Sequence, residues 1–330
     1  MPDIKHVLTT VAYEGWHLDA LREIVAPAPL TVLDPDDAAG IAELLPQVDV
    51  AVLRADLDER YVSTPNVRWI HCDHAGLNKS ARPQFLRRDD LIITGSAGRA
   101  APALAQHCLF LMLALIYDAP TLELDRQDHA WRKRVDLGPA RCLYGKTVGI
   151  IGMGHTGHAL ASLLKACGSR ILAYGRGVHQ RPPEADQYFD ASLGETIDTI
   201  LTQSDVVVLS IRLTDETYHM IDAAALAKMK PSAHLINMAR GSVVDEAALV
   251  DALYAGTIAG AGLDVFEQEP LPPDAAIWDA PHVIMTPHQT AEMPDLKARS
   301  LDILSENFRR YRADEPLLGR LRASDAYSHA

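Results

Sequence analysis

The sequence predicts an α/β protein built from two doubly wound parallel-sheet domains, and three observations carry that prediction. At 330 residues the chain is longer than one hydrophobic core usually organises. Short apolar runs alternate with helix-period patterns along most of its length, as parallel strands joined by crossover helices do. A glycine-rich loop sits between one such run and one such pattern, where a doubly wound sheet passes from strand to helix.

In the first hundred residues, strands are expected at 6–9, 30–33, 48–53, 67–70 and 91–94, with helices at 18–25 and 39–45. Residues 104–116 form the most apolar stretch, yet Gln106 and His107 interrupt it and it is too short to cross a bilayer. It is expected to be a buried core helix. A polar stretch, 123–134, separates it from a second series. That series has strands at 147–151, 170–174, 206–211, 234–238, 258–265 and 283–285, with helices at 156–167, 223–229 and 246–254. A last amphipathic helix, 296–311, is assigned back to the first domain. The expected division is therefore 1–102 with 293–330 for a discontinuous domain, and 103–292 for the domain inserted into it.

Composition narrows the function. Hydrophobic residues make up 48% and charged residues 23% of the chain, an ordinary globular balance. A formal charge of −13 without a Lys/Arg block excludes a nucleic-acid or anionic-membrane surface as the expected partner. Anionic ligands would have to be held by local groups such as oriented N–H groups and a few Arg. Cys72, Cys108, Cys142 and Cys167 form neither a zinc pattern nor a disulfide framework, which suits a reducing cytoplasm. Only a short apolar run follows Lys5 and His6, so a signal peptide is not expected.

Gly152-Met153-Gly154-His155-Thr156-Gly157 lies between the expected strand at 147–151 and the helix that follows. A G-x-G-x-x-G alone is weak; in this strand–turn–helix setting it is the dinucleotide fingerprint. The first glycine permits the turn, the second lets backbone approach a pyrophosphate, and the third lets helix pack on strand. The helix start offers unpaired N–H groups and a positive dipole end. A glycine turn without a ligand is the plain alternative. About 20 residues on, an NAD-binding unit places a carboxylate for the ribose 2′-OH. Here Gly175 stands at that place, followed by Arg176, with His179 and Arg181 beyond. A guanidinium can grip a 2′-phosphate bidentately, so NADP(H) is expected to be preferred, with NAD(H) the alternative if Arg176 is merely solvated.

Three later segments place polar residues just past the ends of expected strands: Asn237 to Gly241 with Arg240, Gly262 to Pro270 with Asp264 and Glu269, and Thr286-Pro287-His288. The carboxyl ends of strands line the crevice of an open α/β sheet, so these can converge beside a nicotinamide. An Arg, a carboxylate and a His suit hydride transfer to a keto acid. Arg240 would hold the substrate carboxylate and polarise the carbonyl. His288 would donate a proton to the carbonyl oxygen, and Glu269 would orient the imidazole and favour its charged form. Each residue alone has a bland reading, since the chain has 14 histidines and polar loop residues are mostly solvated. The argument rests on their joint placement.

These residues bring a family into view. The chain resembles the D-isomer-specific 2-hydroxyacid dehydrogenases, a family that includes glyoxylate/hydroxypyruvate reductases, phosphoglycerate dehydrogenases and formate dehydrogenases. The resemblance runs through His74 to Asn78, Gly98, Ala105 to His107, Trp131 and Leu143 to Ile150. It continues in Asp205 to Val207, Leu213 to Thr217, Met229-Lys230, Asn237 to Gly241, Asp264 to Pro270, Thr286 to His288, Glu306 to Phe308 and Glu315 to Leu317. It implies a Rossmann cofactor domain inserted into a flavodoxin-like substrate domain. It implies that Arg240 is the substrate-binding arginine, that Glu269 and His288 are the acid–base pair, and that Asp264 contacts the nicotinamide carboxamide. The N–H groups of Ala75 and Gly76 would bind the substrate carboxylate. Residues 104–131 match the region through which the family dimerises, so a homodimer is expected, with Trp131 in or near the interface.

Departures from the family pattern shape the expected specificity. Gln106 stands where Glu is usual, and Ser210 and Arg212 replace a common His-x-Pro pair beside the cofactor. Glu269 argues against formate dehydrogenase, whose histidine pairs with an amide, and Ala75 argues against phosphite oxidation, which resembles this family but uses Lys there. The expected activity is reduction of a small 2-keto acid such as glyoxylate or hydroxypyruvate. The rivals are an NAD-dependent D-2-hydroxyacid dehydrogenase and a nucleotide-sensing, co-repressor-like binding protein with little or no turnover.

Overall fold

In the computed structural model, which describes residues 4–133, 141–177 and 181–329, the strands form two wholly parallel sheets. The chain divides into two compact units, one of Met1–Ala100 with Met293–Ala330, the other Ala101–Glu292.

The first unit runs β1 (Val7–Thr9), α1 (Trp16–Val25), β2 (Leu30–Val32), α2 (Ala38–Leu44), β3 (Val50–Leu53), α3 (Glu59–Val62), β4 (Trp69–Cys72), β5 (Ile92–Gly95) and the helix Leu296–Ala313. Its sheet order, β2-β1-β3-β4-β5, is that of a flavodoxin-like doubly wound fold. Side chains alternate between two cores. Val50, Val52 and Trp69 join Val7, Leu301, Leu304 and Phe308 on one face, while Ala51, Leu53, Ile70 and Cys72 line the other. With both faces covered, the strands show as unbroken apolar runs in the sequence. The C-terminal helix is part of this core: Trp69 lies with its ring centroid 4.7 Å from Phe308 and 5.3 Å from Tyr311. Asp37 caps α2 by accepting from the Gly40 N–H at 2.9 Å.

The second unit runs α4 (Ala101–Ile116), α5 (Ala119–Gln127), β6 (Thr147–Ile151), α6 (His155–Ala166), β7 (Arg170–Gly175), β8 (Gln187–Asp190), α7 (Asp198–Gln203), β9 (Val206–Leu209), α8 (Ala223–Lys228), β10 (His234–Asn237), α9 (Glu246–Tyr254), β11 (Gly260–Leu263) and β12 (Val283–Met285). Its order, β12-β11-β10-β9-β6-β7-β8, is the Rossmann order with a seventh strand. The chain walks from β6 to β8 in one direction and returns to β9 on the other side, so the switch point lies between β6 and β9. Here α4 is a core helix: Ala105, Cys108, Leu111 and Met112 pack with Val148, Ile150, Val206 and Ile236. Among the described residues no single helix is long and apolar enough to cross a membrane, and α4 and α5 meet that test only as a pair bent by 61°.

Four elements are absent from the sequence expectation. The edge strand β8 is Gln-Tyr-Phe-Asp, with no apolar run to signal it, and α3 and α7 span only four and six residues. Part of the polar stretch 123–134 belongs to α5, which exposes Leu122 and Leu124 and so lacks the usual inward apolar stripe.

Candidate active site

The glycine loop follows β6 at the switch point. Gly152 has φ +109°, and a Cβ on it would meet the Ser210 carbonyl oxygen at 2.4 Å. The loops after β6 and β9 touch here, and only glycine fits. A Cβ on Gly157 would meet the Gly152 carbonyl at 2.3 Å, so α6 is drawn against the turn. Gly154 faces open space and precedes the first turn of α6, where His155 is exposed and Thr156 partly so. Among the described residues no side chain caps this twelve-residue helix and its first turn holds no acid, the condition for anion binding at its start. The Ser210 hydroxyl donates to the Gly152 carbonyl at 2.6 Å, bracing the turn. The Arg212 carbonyl accepts from Thr217 at 2.7 Å, fixing the start of the loop after β9.

At the end of β7, Gly175 is packed by Tyr188, whose hydroxyl would lie 2.8 Å from a Cβ there. A side chain at this place would have to displace that hydroxyl. Arg176 pairs with Glu216 at 3.1 Å, both side chains well exposed. Sequence gave Glu216 no role, because 40 residues separate it from its partner. Arg181 donates to the carbonyls of Ala185 and Asp186, at 2.5 and 3.2 Å, and His179 lies outside the described residues.

Arg240, Glu269 and His288 follow the neighbouring strands β10, β11 and β12. The Asp264 N–H donates to the Asn237 carbonyl and the His288 N–H to the Asp264 carbonyl, joining the loops in series. A Cβ on Gly241 would fall 1.8 Å from the Phe266 carbonyl carbon, so the Arg240 loop lies directly on the Glu269 loop. Asn237, buried, accepts from the Ala239 N–H and donates to the Arg240 carbonyl, each at 3.0 Å. Glu269 accepts from the Phe266 N–H at 3.0 Å with one oxygen and meets His288 Nδ1 at 2.6 Å with the other. The His288 side chain keeps 45% of its exposure, and its φ of +47° turns the residue out of extended backbone. An imidazole held at Nδ1 presents Nε2 as its second proton-bearing atom. Asp264, by contrast, is buried, and its carboxylate accepts from the hydroxyls of Thr286 and Thr290, each at 2.6 Å. Both of its oxygens thus accept from residues flanking His288, and its expected contact with a nicotinamide carboxamide remains a proposal. The sequence named neither threonine's role nor that of His107, which meets both hydroxyls.

In the first unit, Ala75 is exposed and Gly76 partly so, in a turn whose His74 carbonyl accepts from the Ser96 N–H at 3.0 Å. Among the described residues neither the Ala75 nor the Gly76 N–H donates a hydrogen bond, the condition a carboxylate-binding turn must meet.

The profile of the D-isomer specific 2-hydroxyacid dehydrogenase NAD binding domain matches residues 109–290, more than half of the chain. The chain belongs to the D-isomer-specific 2-hydroxyacid dehydrogenases. This dehydrogenase is 32% identical to a glyoxylate reductase of Korarchaeum cryptofilum over 311 residues, 92% of this chain and 88% of the relative. With the glyoxylate/hydroxypyruvate reductase B of Pectobacterium carotovorum it shares 48% identity over 146 residues, 44% of this chain and 45% of the other. Among solved structures, a D-isomer specific 2-hydroxyacid dehydrogenase from Xanthobacter autotrophicus Py2, in complex with NADPH and MES, superposes with a TM-score of 0.79. That pair is 27% identical, over 97% of this chain and 98% of the other. The dehydrogenase is an oxidoreductase that transfers hydride between a nicotinamide cofactor and a 2-keto/2-hydroxy acid pair.

Proposed function

We propose that the dehydrogenase is an NADP(H)-preferring reductase of small 2-keto acids, glyoxylate or hydroxypyruvate among them, forming the D-isomer where the product is chiral. The observation that carries the reading is the His288–Glu269 pair at 2.6 Å, on a loop next to that of Arg240. Gly152, Gly154, Gly157 and the first turn of α6, with His155 and Thr156, hold the pyrophosphate, and Ser210 and Arg212 border it from the loop after β9. A bound reduced nicotinamide supplies the hydride to the carbonyl carbon. Arg240 holds the substrate carboxylate and polarises the carbonyl. His288 delivers its proton to the carbonyl oxygen, and Glu269, ionised, stabilises the imidazolium before transfer. The N–H groups of Ala75 and Gly76 serve as carboxylate donors.

Arg176 supports NADP(H), since no acid stands at Gly175 to repel a 2′-phosphate. Its pairing with Glu216 leaves NAD(H) as the second cofactor, because a carboxylate can accept from a ribose 2′-OH. A panel of 2-keto acids assayed by NADPH and NADH consumption tests the reading. Equal efficiency with both cofactors removes the NADP(H) preference, and NADPH binding without turnover of any 2-keto acid favours the co-repressor-like alternative.

A homodimer and a cytoplasmic setting complete the proposal. Phe110, Leu122, Leu124 and Trp131 are exposed apolar side chains along and just beyond α4 and α5, with Trp131 at 96%. Their concentration in one stretch of the chain supports a partner surface, and a two-fold dimer is the commonest solution. The four free cysteines suit a reducing compartment. Sedimentation at micromolar concentration showing only monomer removes the dimer.

A further inference from the structure

Beneath the His288 loop lies a closed ring of hydrogen bonds that includes His107 of α4. Asp264 accepts from the Thr286 hydroxyl with Oδ1 and from the Thr290 hydroxyl with Oδ2, each at 2.6 Å. His107 meets the same two hydroxyls, Thr286 through Nε2 at 3.2 Å and Thr290 through Nδ1 in a short contact. Four hydrogen bonds need four protons, and each hydroxyl brings one. The other two must come from the imidazole and the carboxylate. A neutral His107 beside an ionised Asp264 supplies only one. That state sets a ring-nitrogen lone pair against a hydroxyl lone pair and leaves one of the four contacts unmade, beside buried Thr290 and Asp264. The ring therefore closes only with one more proton. Imidazole is the stronger base of the two by roughly 2–3 pKa units in water, which puts that proton on His107.

We infer that His107 is held as an imidazolium, joined to the Asp264 carboxylate through the Thr286 and Thr290 hydroxyls, and that this ring positions His288. Thr286 and Thr290 lie two residues before and two after it. The Gln289 N–H donates to Asp264 Oδ1 at 3.4 Å and the His288 N–H to the Asp264 carbonyl at 2.9 Å, so one residue anchors both the side-chain and backbone supports of the loop. A histidine at φ +47° adopts a backbone that L-residues avoid, and such a conformation persists only where its surroundings over-determine it. The ring supplies that determination. His107 touches neither substrate nor the reacting atoms in this scheme; it is a positioning residue, and its kinetic role rests on the reading of His288 as proton donor.

Two measurements on the full chain test the inference. ¹⁵N-histidine NMR near neutral pH, with the His107 signals assigned by their loss in His107→Gln, is expected to show protons on both ring nitrogens. One unprotonated ring nitrogen overturns the charge assignment. Thr290→Val keeps the side-chain shape and removes one relaying hydroxyl. Both it and His107→Gln are expected to lower kcat for keto-acid reduction about 10- to 100-fold, the effect of a displaced catalytic group. The NADPH Kd should stay within about twofold, because the cofactor's phosphates bind elsewhere. Parent kcat in both variants overturns the positioning role. Should His288→Ala keep full turnover, the proton-donor reading fails while the NMR signature of His107 stands, so the two failures are told apart.

Discussion

Each unit holds a histidine between two hydroxyls, and the two histidines carry different charge. In the first unit, His71 is fully buried, with Nδ1 2.9 Å from the Thr94 hydroxyl and Nε2 3.0 Å from that of Ser96. Thr94 accepts from Trp69 Nε1 and so has its own proton to give; Ser96 gives its proton to Asp73 and so must accept one. A neutral imidazole satisfies both, and burial pushes the group down to about 4. In the second unit both hydroxyls facing His107 spend their protons on Asp264, and the imidazole has to be charged. The residue types nearest the ring are alike. The destination of two hydroxyl protons decides the charge.

The arginines differ instead in enclosure. Arg99–Asp73 and Arg176–Glu216 are ion pairs of equal length, 3.1 Å. The first is nearly enclosed, with 17% and 7% side-chain exposure, and Tyr13, Ser96 and Ser300 complete its hydrogen bonds. The second has 45% and 70% exposure and is screened by solvent. The first pair is closed in by its neighbours; the second stays open to solvent.

The largest expected effect tests the open side. His288→Ala should lower kcat in both directions by about 10²- to 10⁴-fold while NADPH binding persists, as steady-state kinetics with a fluorescence titration would show. Turnover within a few-fold of the parent would make His288 a bystander. Glu269→Gln sharpens the point by giving His288 a neutral partner. Without the carboxylate the imidazolium is less favoured, so keto-acid reduction should fail at lower pH than in the parent, and hydroxy-acid oxidation should extend to lower pH. Superimposable pH profiles would make Glu269 a turn carboxylate.

Next come the two arginines. Arg99→Ala strands a buried carboxylate and should destabilise the chain by about 3–5 kcal/mol in denaturant unfolding. Arg176→Ala should change stability by no more than about 1 kcal/mol. Its effect should fall on cofactor use, with a NADPH KM about ten- to a hundredfold higher and a NADH KM nearly constant. Similar stability losses in both would erase the contrast.

A last effect, spread over several pH units, concerns His71. Its folded value near 4 lies below the unfolded value of about 6.5, so the unfolded chain binds the extra proton between them. The contribution is complete above about pH 6.5 and falls away as pH drops toward 4, by about 3 kcal/mol in all. His234, also pushed down to about 4 by burial, acts with the same sign. His71→Gln should therefore show a shallower loss of stability between neutral pH and pH 4 than the parent. An unchanged slope would mean that His71 is not the group that titrates.

Much of this was legible in the chain. The apolar runs of β1 to β5 and β6 to β12 stand out because both faces of each sheet are covered, and the glycine loop because its spacing is fixed by the turn it makes. Arg240, Glu269 and His288 could be picked out as candidates because each lies three to six residues past the end of its own strand. What escaped was whatever lacks a local period or depends on a distant partner. The edge strand β8 offers one apolar face at most, and the packing of its Tyr188 against Gly175 has no local signal. Glu216 and His107 find their partners 40 and 183 residues away, and no spacing rule points across such distances.

The C-terminal helix has a consequence for the order in which the protein is made. Leu301, Leu304 and Phe308 cover a face that Val7, Val50 and Trp69 have already formed, and the whole second unit is encoded between them. On the ribosome the first hundred residues emerge without their covering helix, and at usual synthesis rates they wait roughly 10–40 s for it. By the end of that interval the second unit has been synthesised and can fold, while the apolar face around Trp69 is still open to chaperones. Translation speed across residues 101–292 thus becomes a determinant of yield, acting on a part of the molecule it does not encode.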